Sequence, residues 1–515
     1  MTAKPIYLTT PIYYVNDKPH IGHAYTSLAT DVLARWQRLA GREVFFLTGT
    51  DEHGQKVEKA ARDAGMEPQE FTDQVSQSFR VLAERMGFSN DDFIRTTEPR
   101  HHRACQALWQ ALAARGQIHL GHYEGWYAVR DEAFYGPDEL TERDGVRYAP
   151  SGAPVEWVRE PSYFFRLSQW GDELLRRYDL PPGHPEAIEV FPESRRNEVR
   201  AFVKTGLQDL SISRTSFTWG VPVPGDPAHV MYVWLDALTN YITAAGYPDE
   251  NAPNWGFWPA DVHFVGKDIL RFHAIYWPAF LLAAGLAPPR RIFAHGWWTI
   301  EGEKMSKSLG NAIDPLVLIE EFGLDPLRYF LLREVPFGND GDFSRKALIG
   351  RLNGELADGL GNLAQRTLTL IQRNCEGRLP APGEAAKADR GFLSGFDTLP
   401  GTVGKHLEDQ QFHLALEAVM ASVREANGYI TQQQPWALRK TDPARMEVVL
   451  RHLHAALRAY ATVLQPFMPA TMAALLEQLG VQAGARGLGN LGTALPAGTP
   501  LPPPTPLFRK IDDAA

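Results

Sequence analysis

The sequence predicts an α/β protein whose parallel sheet is split by an insertion and followed by a helical C-terminal third. Three observations carry that expectation. The first 50 residues read strand, loop, helix, strand; short apolar runs return after residue 225; and the last third repeats apolar residues at helical spacing.

Taken in order, Ile6 and Leu8 alternate with Tyr7 and Thr9, the period of a strand. A loop with Pro11 and Pro19 leads to His20-Ile21-Gly22-His23. Leu28, Val32, Trp36 and Leu39 then recur at spacings of four, four and three, which is one helix face, and Gly41 stands where a helix ends. Val44-Phe45-Phe46-Leu47 is wholly apolar, as a buried parallel strand should be, and completes a βαβ unit. From 116 to 224, Gly, Pro, Tyr, Trp and charged residues mix with few long periodic stretches, which reads as an inserted domain. Val230 to Trp234, Val262 to Val265 and Ile292 to Ala294 read as a return to the parallel sheet. Leu348, Leu352, Leu356, Leu360 and Leu363 open the helical third; Phe412 to Val423 and Val449 to Tyr460 continue it. The tail from Pro496 to Pro506 holds six prolines and is expected to be extended.

Composition removes several classes. Hydrophobic residues make up 44% and charged residues 22%, a balance that supports a core large enough to need no staple. Two cysteines, Cys105 and Cys375, cannot build a disulfide framework or an all-cysteine metal site. The first residues hold no apolar signal segment. The long uncharged runs are broken by His273 and Pro278, or by Gly and Pro, so no membrane association and a cytoplasmic location are expected. A net charge of −9 argues against a general nucleic-acid binder, although a local patch can act alone. Lys346 to Pro380 carries five Lys or Arg against three acids, and Met420 to Tyr460 six against three, so the helical third is locally basic.

Two short motifs carry chemistry. His20-Ile21-Gly22-His23 falls between a strand and a helix start, where two imidazoles can donate to phosphate oxygens and the helix N-terminus adds positive potential. Glycine at the third position removes a side chain, so a flat base can approach the backbone. Lys304-Met305-Ser306-Lys307-Ser308 places two ammonium groups and two hydroxyls in one short segment near Gly302 and Gly310. Such a segment can follow a polyphosphate as its charge shifts.

Together these motifs resemble the HIGH and KMSKS signatures of class I aminoacyl-tRNA synthetases. Leu210-Ser211-Ile212-Ser213-Arg214 with Trp219-Gly220-Val221-Pro222 is similar to a segment shared by the methionine, leucine, isoleucine and valine enzymes. Thr9 to Asn16, Gly49-Thr50-Asp51-Glu52-His53-Gly54, Tyr232 to Leu238 and Gly266 to Leu270 resemble the methionyl-tRNA synthetases, of bacterial type but without zinc-knuckle cysteines. The resemblance runs from about residue 5 to 480. It implies a Rossmann-like parallel-sheet catalytic domain split by an inserted connective domain and followed by a C-terminal α-helical bundle. The expected boundaries are 1–115 and 225–295 for the catalytic halves, 116–224 for the insert, 296–345 for the KMSKS and stem-contact region, 346–480 for an anticodon-binding bundle and 481–515 for the tail.

The resemblance further implies that L-methionine and ATP give methionyl-adenylate and pyrophosphate, and that methionine then passes to the 3′-terminal adenosine of initiator and elongator tRNA(Met). His20, His23, Lys304 and Lys307 would be catalytic, and Gly22 and Ser306 would join them at ATP, with Mg2+ arriving on the nucleotide. Ile12, Tyr14, Asp51, Trp234, Ala237, Tyr241, Asp268, Phe272, His273 and Trp277 would hold methionine, Asp51 at its ammonium group. Aromatic walls suit a polarizable thioether. Asn362 and Arg366, four apart on one helix face, with Pro435 and Trp436 at another helix start, would meet the anticodon. Where relatives carry a Cys-x-x-Cys pair, this chain has Ala128 and Asp131, and neighbouring His119 and His122 read as loop residues, so no structural zinc is expected. The insert is too short for a hydrolytic editing domain, and a monomer is expected because no dimerising domain follows. Three rivals remain: a sibling synthetase for another apolar amino acid, a noncatalytic RNA-binding paralogue, and a small-molecule adenylyltransferase. The aromatic pocket, the intact His and Lys motifs and the helical third argue against them in turn.

Overall fold

The short apolar runs pair edge to edge into a seven-stranded parallel sheet. The computed structural model describes residues 4–15, 18–131, 133–300, 303–304 and 313–512. Across the sheet the order is Glu189–Phe191, Arg291–His295, Val262–Gly266, Ile6–Thr9 and Val44–Asp51, with Asp92–Arg95 beyond. The short strand Tyr13–Tyr14 pairs the far end of Val44–Asp51, whose eight residues are all buried. Strand order reverses at Ile6–Thr9, so the loops after Thr9 and Gly266 leave the sheet on either side of a switch point, where α/β sheets hold ligands. One glycine is fixed by this pairing: a Cβ on Gly49 would meet the Ile94 carbonyl oxygen at 2.0 Å.

Two expectations are corrected. Val230 to Trp234 does not join the parallel sheet. Asp226–Met231 pairs antiparallel with Ser213–Arg214 and Pro222–Val223, and Val233 already opens the helix Val233–Ala245. Short apolar runs look alike in a buried strand and a buried helix, and all but one of the residues in this helix are buried. The insertion is also more regular than its text: Ile118–Ala128 and Glu156–Phe165 form a long antiparallel ribbon. Burial alternates along Glu156–Phe165, but Glu160 and Ser162 face inward and Trp157 outward, so no apolar-polar alternation marks it in the sequence.

Contacts divide the chain into two compact units. One comprises residues 4–19 and 44–295, the other 20–43 and 296 onward. In the second, Trp298–Ile300 lies between Glu303–Lys304 and Gly341–Phe343. Beyond this small sheet most of the chain is helical, including the 22-residue helices Phe412–Gln433 and Pro443–Leu464. The tail is extended, as its prolines predict: Leu501 donates its N–H to Gly377 and Leu379 donates to Thr499. No helix among the described residues is long and apolar enough to cross a membrane.

Helix Ile21–Leu39 is tied into this second unit by a buried ion pair. Asp31 and Arg328 are both fully buried at 2.7 Å, and Arg328 also donates to the carbonyls of Pro466 and Phe467. Asp31 accepts from Arg35 as well. Removing one member of such a pair strands the other charge. Asp31→Ala is therefore expected to lower the unfolding free energy by about 3–5 kcal/mol. Asp63→Ala, which breaks the exposed pair with Lys59, should cost less than about 1 kcal/mol. Denaturant titration of the two variants reads the difference.

Candidate active site

The aromatic residues expected around an amino-acid side chain do come together in the sheet unit. Trp234 and Phe272 stack with ring centroids 3.6 Å apart and planes 8° from parallel. Trp234, Ala237 and Tyr241 share one face of helix Val233–Ala245 at spacings of three and four. Opposite, Phe272–Tyr276 winds one residue wider than an α-helix before Trp277–Ala284 continues normally. Such a wide turn re-aims the side chains around it.

Hydrogen bonds fix the charge state of this cluster. His273 Nδ1 lies 2.9 Å from the Ile269 carbonyl, which can only accept, so Nδ1 carries the proton and Nε2 accepts from the Tyr241 hydroxyl at 2.7 Å. Burial pushes His273 down to about 4, which leaves the ring neutral at pH 7. Behind it, Trp277 is fully buried and donates to His263 Nε2 at 3.3 Å, so His263 donates through Nδ1 to Thr9 at 2.7 Å. Burial lowers His263 as well. The Tyr241 ring stacks on His263 at 4.1 Å. The wall is thus aromatic, polarizable and without net charge.

The remaining predicted residues border the same core. Ile12 and Tyr14 pack partly buried against it. Asp51 ends its strand 6% exposed. Asp268 is exposed two residues after Gly266, with its carboxylate folded back over that glycine. Sequence reasoning missed what braces these groups. The Asp236 carboxylate is fully buried and bonded at 2.7 Å to both His53 and His101. Burial opposes its ionisation, but the His53 charge and the bonds from both histidines outweigh burial and hold it well below the usual carboxylate range. Cys105 completes the cluster 3.2 Å from His101, its thiol pushed far up by burial. Next in sequence to Asp51, the Glu52 carboxylate is gripped by Arg95 at 2.7 and 2.9 Å. Asp236 and His53 lie inside the family-like motifs, but no spacing rule links them to each other.

In the other unit, His20 and His23 begin helix Ile21–Leu39. Gly22 N–H donates to His20 Nδ1 and His20 N–H donates to His23 Nδ1, both at 3.0 Å. With each Nδ1 accepting, the proton of each neutral ring sits on Nε2. The rings lie 4.0 Å apart, and no acidic residue stands in the first helical turn. Gly22 is needed for this cap: a Cβ there would meet His20 Cε1 at 2.9 Å. Lys304 closes the strand Glu303–Lys304, and Tyr25, on the His20 helix, packs edge-on at 5.5 Å against Trp298 of the strand that pairs with it. The Lys304 side chain, Ser306 and Lys307 lie outside the described residues.

Further on, Asn362 is exposed and Arg366 projects its guanidinium over the Trp436 ring at 5.4 Å. Trp436, which follows buried Pro435 at the start of helix Pro435–Thr441, is 43% exposed. All four predicted residues therefore meet or flank one surface. In the insert, Ala128 packs with Ala149, Ala153 and Val155, and Asp131 accepts from Tyr135 and Ser151. One engaged carboxylate beside alanines does not fit a zinc ion, which needs thiolate or imidazole donors. Among the described residues, the one group of three metal-capable side chains is His101, Cys105 and Asp236.

Likeness to known proteins extends over the whole chain. The family model described as tRNA synthetases class I (M) matches residues 6–368, and that of the anticodon binding domain of methionyl tRNA ligase matches 379–515. A methionine--tRNA ligase of Brucella suis biovar 1 is 55% identical over 516 residues, covering 100% of this chain and 99% of that protein. One from Mesorhizobium japonicum is 55% identical over 513 residues, 99% of this chain and 98% of that protein. The structure of Mycobacterium tuberculosis methionyl-tRNA synthetase in complex with methionyl-adenylate superposes with a TM-score of 0.95 at 50% identity, covering 98% of this chain and 100% of that one.

The neutral His273 makes a pH prediction. Its folded value of about 4 lies below an unfolded value of about 6.5. The unfolded chain therefore takes up the proton first, and the stability is complete above pH 6.5 and lost as pH falls towards 4. His273→Gln should reduce the loss of unfolding free energy between pH 7 and pH 5 by on the order of 2 kcal/mol, read from denaturation curves at the two pH values.

Proposed function

The chain belongs to the class I tRNA synthetases for methionine, and from that membership we propose how its residues perform the ligation. L-methionine and ATP give methionyl-adenylate and pyrophosphate; methionine then passes to the 3′-terminal adenosine of tRNA(Met), initiator and elongator alike. The observation that carries the choice of amino acid is the aromatic wall of Trp234, Phe272, Tyr241 and His273, neutral and hydrogen-bonded within itself. A buried charge there would favour a charged or strongly polar side chain. An uncharged aromatic wall favours the thioether, each sulfur–ring contact adding about 0.3–1.5 kcal/mol. Ile12, Tyr14, Ala237 and Trp277 complete the lining, Asp51 holds the substrate ammonium, and Asp268 stands by the ammonium or the ribose.

In the first step a methionine carboxylate oxygen attacks the α-phosphorus. The bond from that phosphorus to the bridging oxygen breaks, and pyrophosphate leaves. Such a transfer needs positioning and charge stabilisation more than covalent catalysis. His20 and His23 donate through Nε2–H to phosphate oxygens, a role supported by the tautomers their cap imposes. Gly22 leaves room for the His20 ring and for the base. Lys304, Ser306 and Lys307 follow the departing pyrophosphate, and Mg2+ enters with ATP as part of the substrate. In the second step a ribose hydroxyl of the terminal adenosine attacks the carbonyl carbon, and AMP leaves.

Residues 1–115 and 225–295 with the 296–345 segment are proposed as the catalytic part, 116–224 as the connective insert without structural zinc, save that its strand Glu189–Phe191 joins the catalytic sheet, and 346–480 as the anticodon reader, followed by the tail. Asn362, Arg366, Pro435 and Trp436 would present the reading surface, Trp436 stacking an unpaired base. The chain is proposed to act as a cytoplasmic monomer. Among the described residues the exposed large apolar side chains, Leu120, Val146, Trp157, Val317, Leu414 and Trp436, fall on six different elements rather than one face.

Amino-acid-dependent exchange of pyrophosphate into ATP, without tRNA, tests this reading. Exchange is expected with methionine, with homocysteine the nearest competitor because one methylene is worth only about 1–3 kcal/mol. Exchange with leucine, isoleucine or valine in place of methionine would overturn the pocket. Lys307→Ala should slow exchange by roughly 100-fold or more. Trp436→Ala should leave exchange intact and cut aminoacylation by about 10- to 100-fold; equal loss of both reactions would remove Trp436 from tRNA reading.

A further inference from the structure

Among the residues given no role above, helix Pro443–Leu464 turns two arginines inward. Arg451 and Arg458 are seven apart, two turns along one face. They are 9% and 6% exposed, burial that arginine rarely tolerates without an acidic partner. Here none exists among the described residues. Arg451 donates only to the carbonyls of Pro380 and Leu495, and Arg458 only to those of Asn490 and Thr493. Each guanidinium has five N–H donors, so carbonyls take two from each. The Nε–H of Arg458 is buried with no partner at all.

Both arginines line one cavity of about 440 Å³. Its other walls include Phe396, Pro400 and Leu495, with His454 between the arginines. His454 adds no charge: burial pushes it down to about 4, and it donates to the Leu479 carbonyl at 2.9 Å. Asp397 is the acid at the cavity, exposed and outside ion-pair distance of either arginine. Two buried like charges on one helix face repel each other, and burial lowers both guanidiniums from their ordinary range, with Arg458 adding to the effect at Arg451. What the site lacks is a compact multivalent anion. The guanidinium fork matches the oxygens of a phosphate bidentately, as it does those of a carboxylate, and a phosphate carries the higher charge that two guanidiniums can share.

We propose that this cavity binds a phosphate group. The carbonyl bonds hold the two guanidiniums in place, and the N–H donors left over on their terminal nitrogens meet the phosphate oxygens. The cavity exceeds a bare phosphate and has apolar walls, so it has room for an attached organic group. A free nucleotide-sized ester and an RNA backbone both carry such a phosphate, and the two are separable. The proposal rests on the geometry of this helical unit alone and does not depend on the assigned reaction.

The test uses the full chain and inorganic phosphate, exchanged for chloride at constant ionic strength, with the thermal midpoint and calorimetric binding as readouts. Phosphate should raise the midpoint of the unaltered chain, and Arg458→Gln should abolish the rise. Because that variant also loosens the segment around Asn490 and Thr493, Asp397→Asn provides the second arm. It removes an exposed acid that competes with the anion and should tighten phosphate binding by about 3-fold or more. Equal midpoints in phosphate and chloride for both the unaltered chain and Asp397→Asn would overturn the proposal. Phosphate that competes with tRNA, in a chain whose tRNA affinity also rises with Asp397→Asn, would identify the RNA backbone as the source. Phosphate binding with unchanged tRNA affinity would identify a free phosphate ester.

Discussion

The sheet unit depends on one carboxylate. Asp236 is sealed from water and joins three stretches of chain that meet nowhere in sequence: the loop after Val44–Asp51, through His53; helix Pro99–Ala114, through His101; and helix Val233–Ala245, to which it belongs. An ionised group without partners would be expelled from such a place at a cost of several kcal/mol. With two imidazoles bonded to it, the same group becomes a directional brace. It sets the helix bearing Trp234, Ala237 and Tyr241 against the end of the strand bearing Asp51. The buried charge lies behind the pocket, and the aromatic wall itself stays neutral, because His263 and His273 are each satisfied as uncharged rings. Polarity thus serves alignment, and polarizability is left for the substrate.

The same division appears at the start of helix Ile21–Leu39. Backbone N–H groups that every helix leaves unsatisfied are capped here by imidazole nitrogens in place of the usual hydroxyl or carboxylate. The cap has a chemical by-product. By occupying Nδ1 on both rings, it commits both Nε2 atoms to donation. A serine or aspartate cap would satisfy the helix equally well and would bring no such pair of donors. Gly22 is part of the same device, since its missing side chain is where the His20 ring lies.

Much of this is legible in the sequence. Alternation at Ile6–Thr9, the apolar run at Val44 and the spacing of Leu28, Val32 and Trp36 define the strand–helix–strand frame, because each is a local pattern with one period. The histidine and lysine motifs point to phosphate chemistry, and the family resemblance places the aromatic pocket. What stays hidden is non-local. Asp236 lies 183 residues from His53 and 135 from His101, so no window contains the triad. The run Val230 to Trp234 reads wrongly as a sheet strand because burial on all sides erases the difference between the two periods. The ribbon Ile118–Ala128 with Glu156–Phe165 escapes notice for a different reason: Glu160 and Ser162 face inward while Leu120 and Trp157 face outward, so polarity does not follow burial. Gly22 is legible as a needed glycine, but its reason, the fold of His20 over its own helix, requires the three-dimensional arrangement.

The buried pair of Asp31 and Arg328 has a temporal meaning as well as an energetic one. The partners are separated by 297 residues, and Arg328 in turn leans on carbonyls near residue 466. On a ribosome adding about 5–20 residues per second, Asp31 emerges roughly 15–60 s before its partner exists. The helix that carries His20 and His23 is therefore among the first segments made and cannot reach its final surroundings until much of the chain has been added. A nascent chain stalled before residue 328 would present the two histidines proposed to bind phosphate on a helix still lacking its anchor, so assembly of this enzyme is gated by synthesis of its C-terminal half.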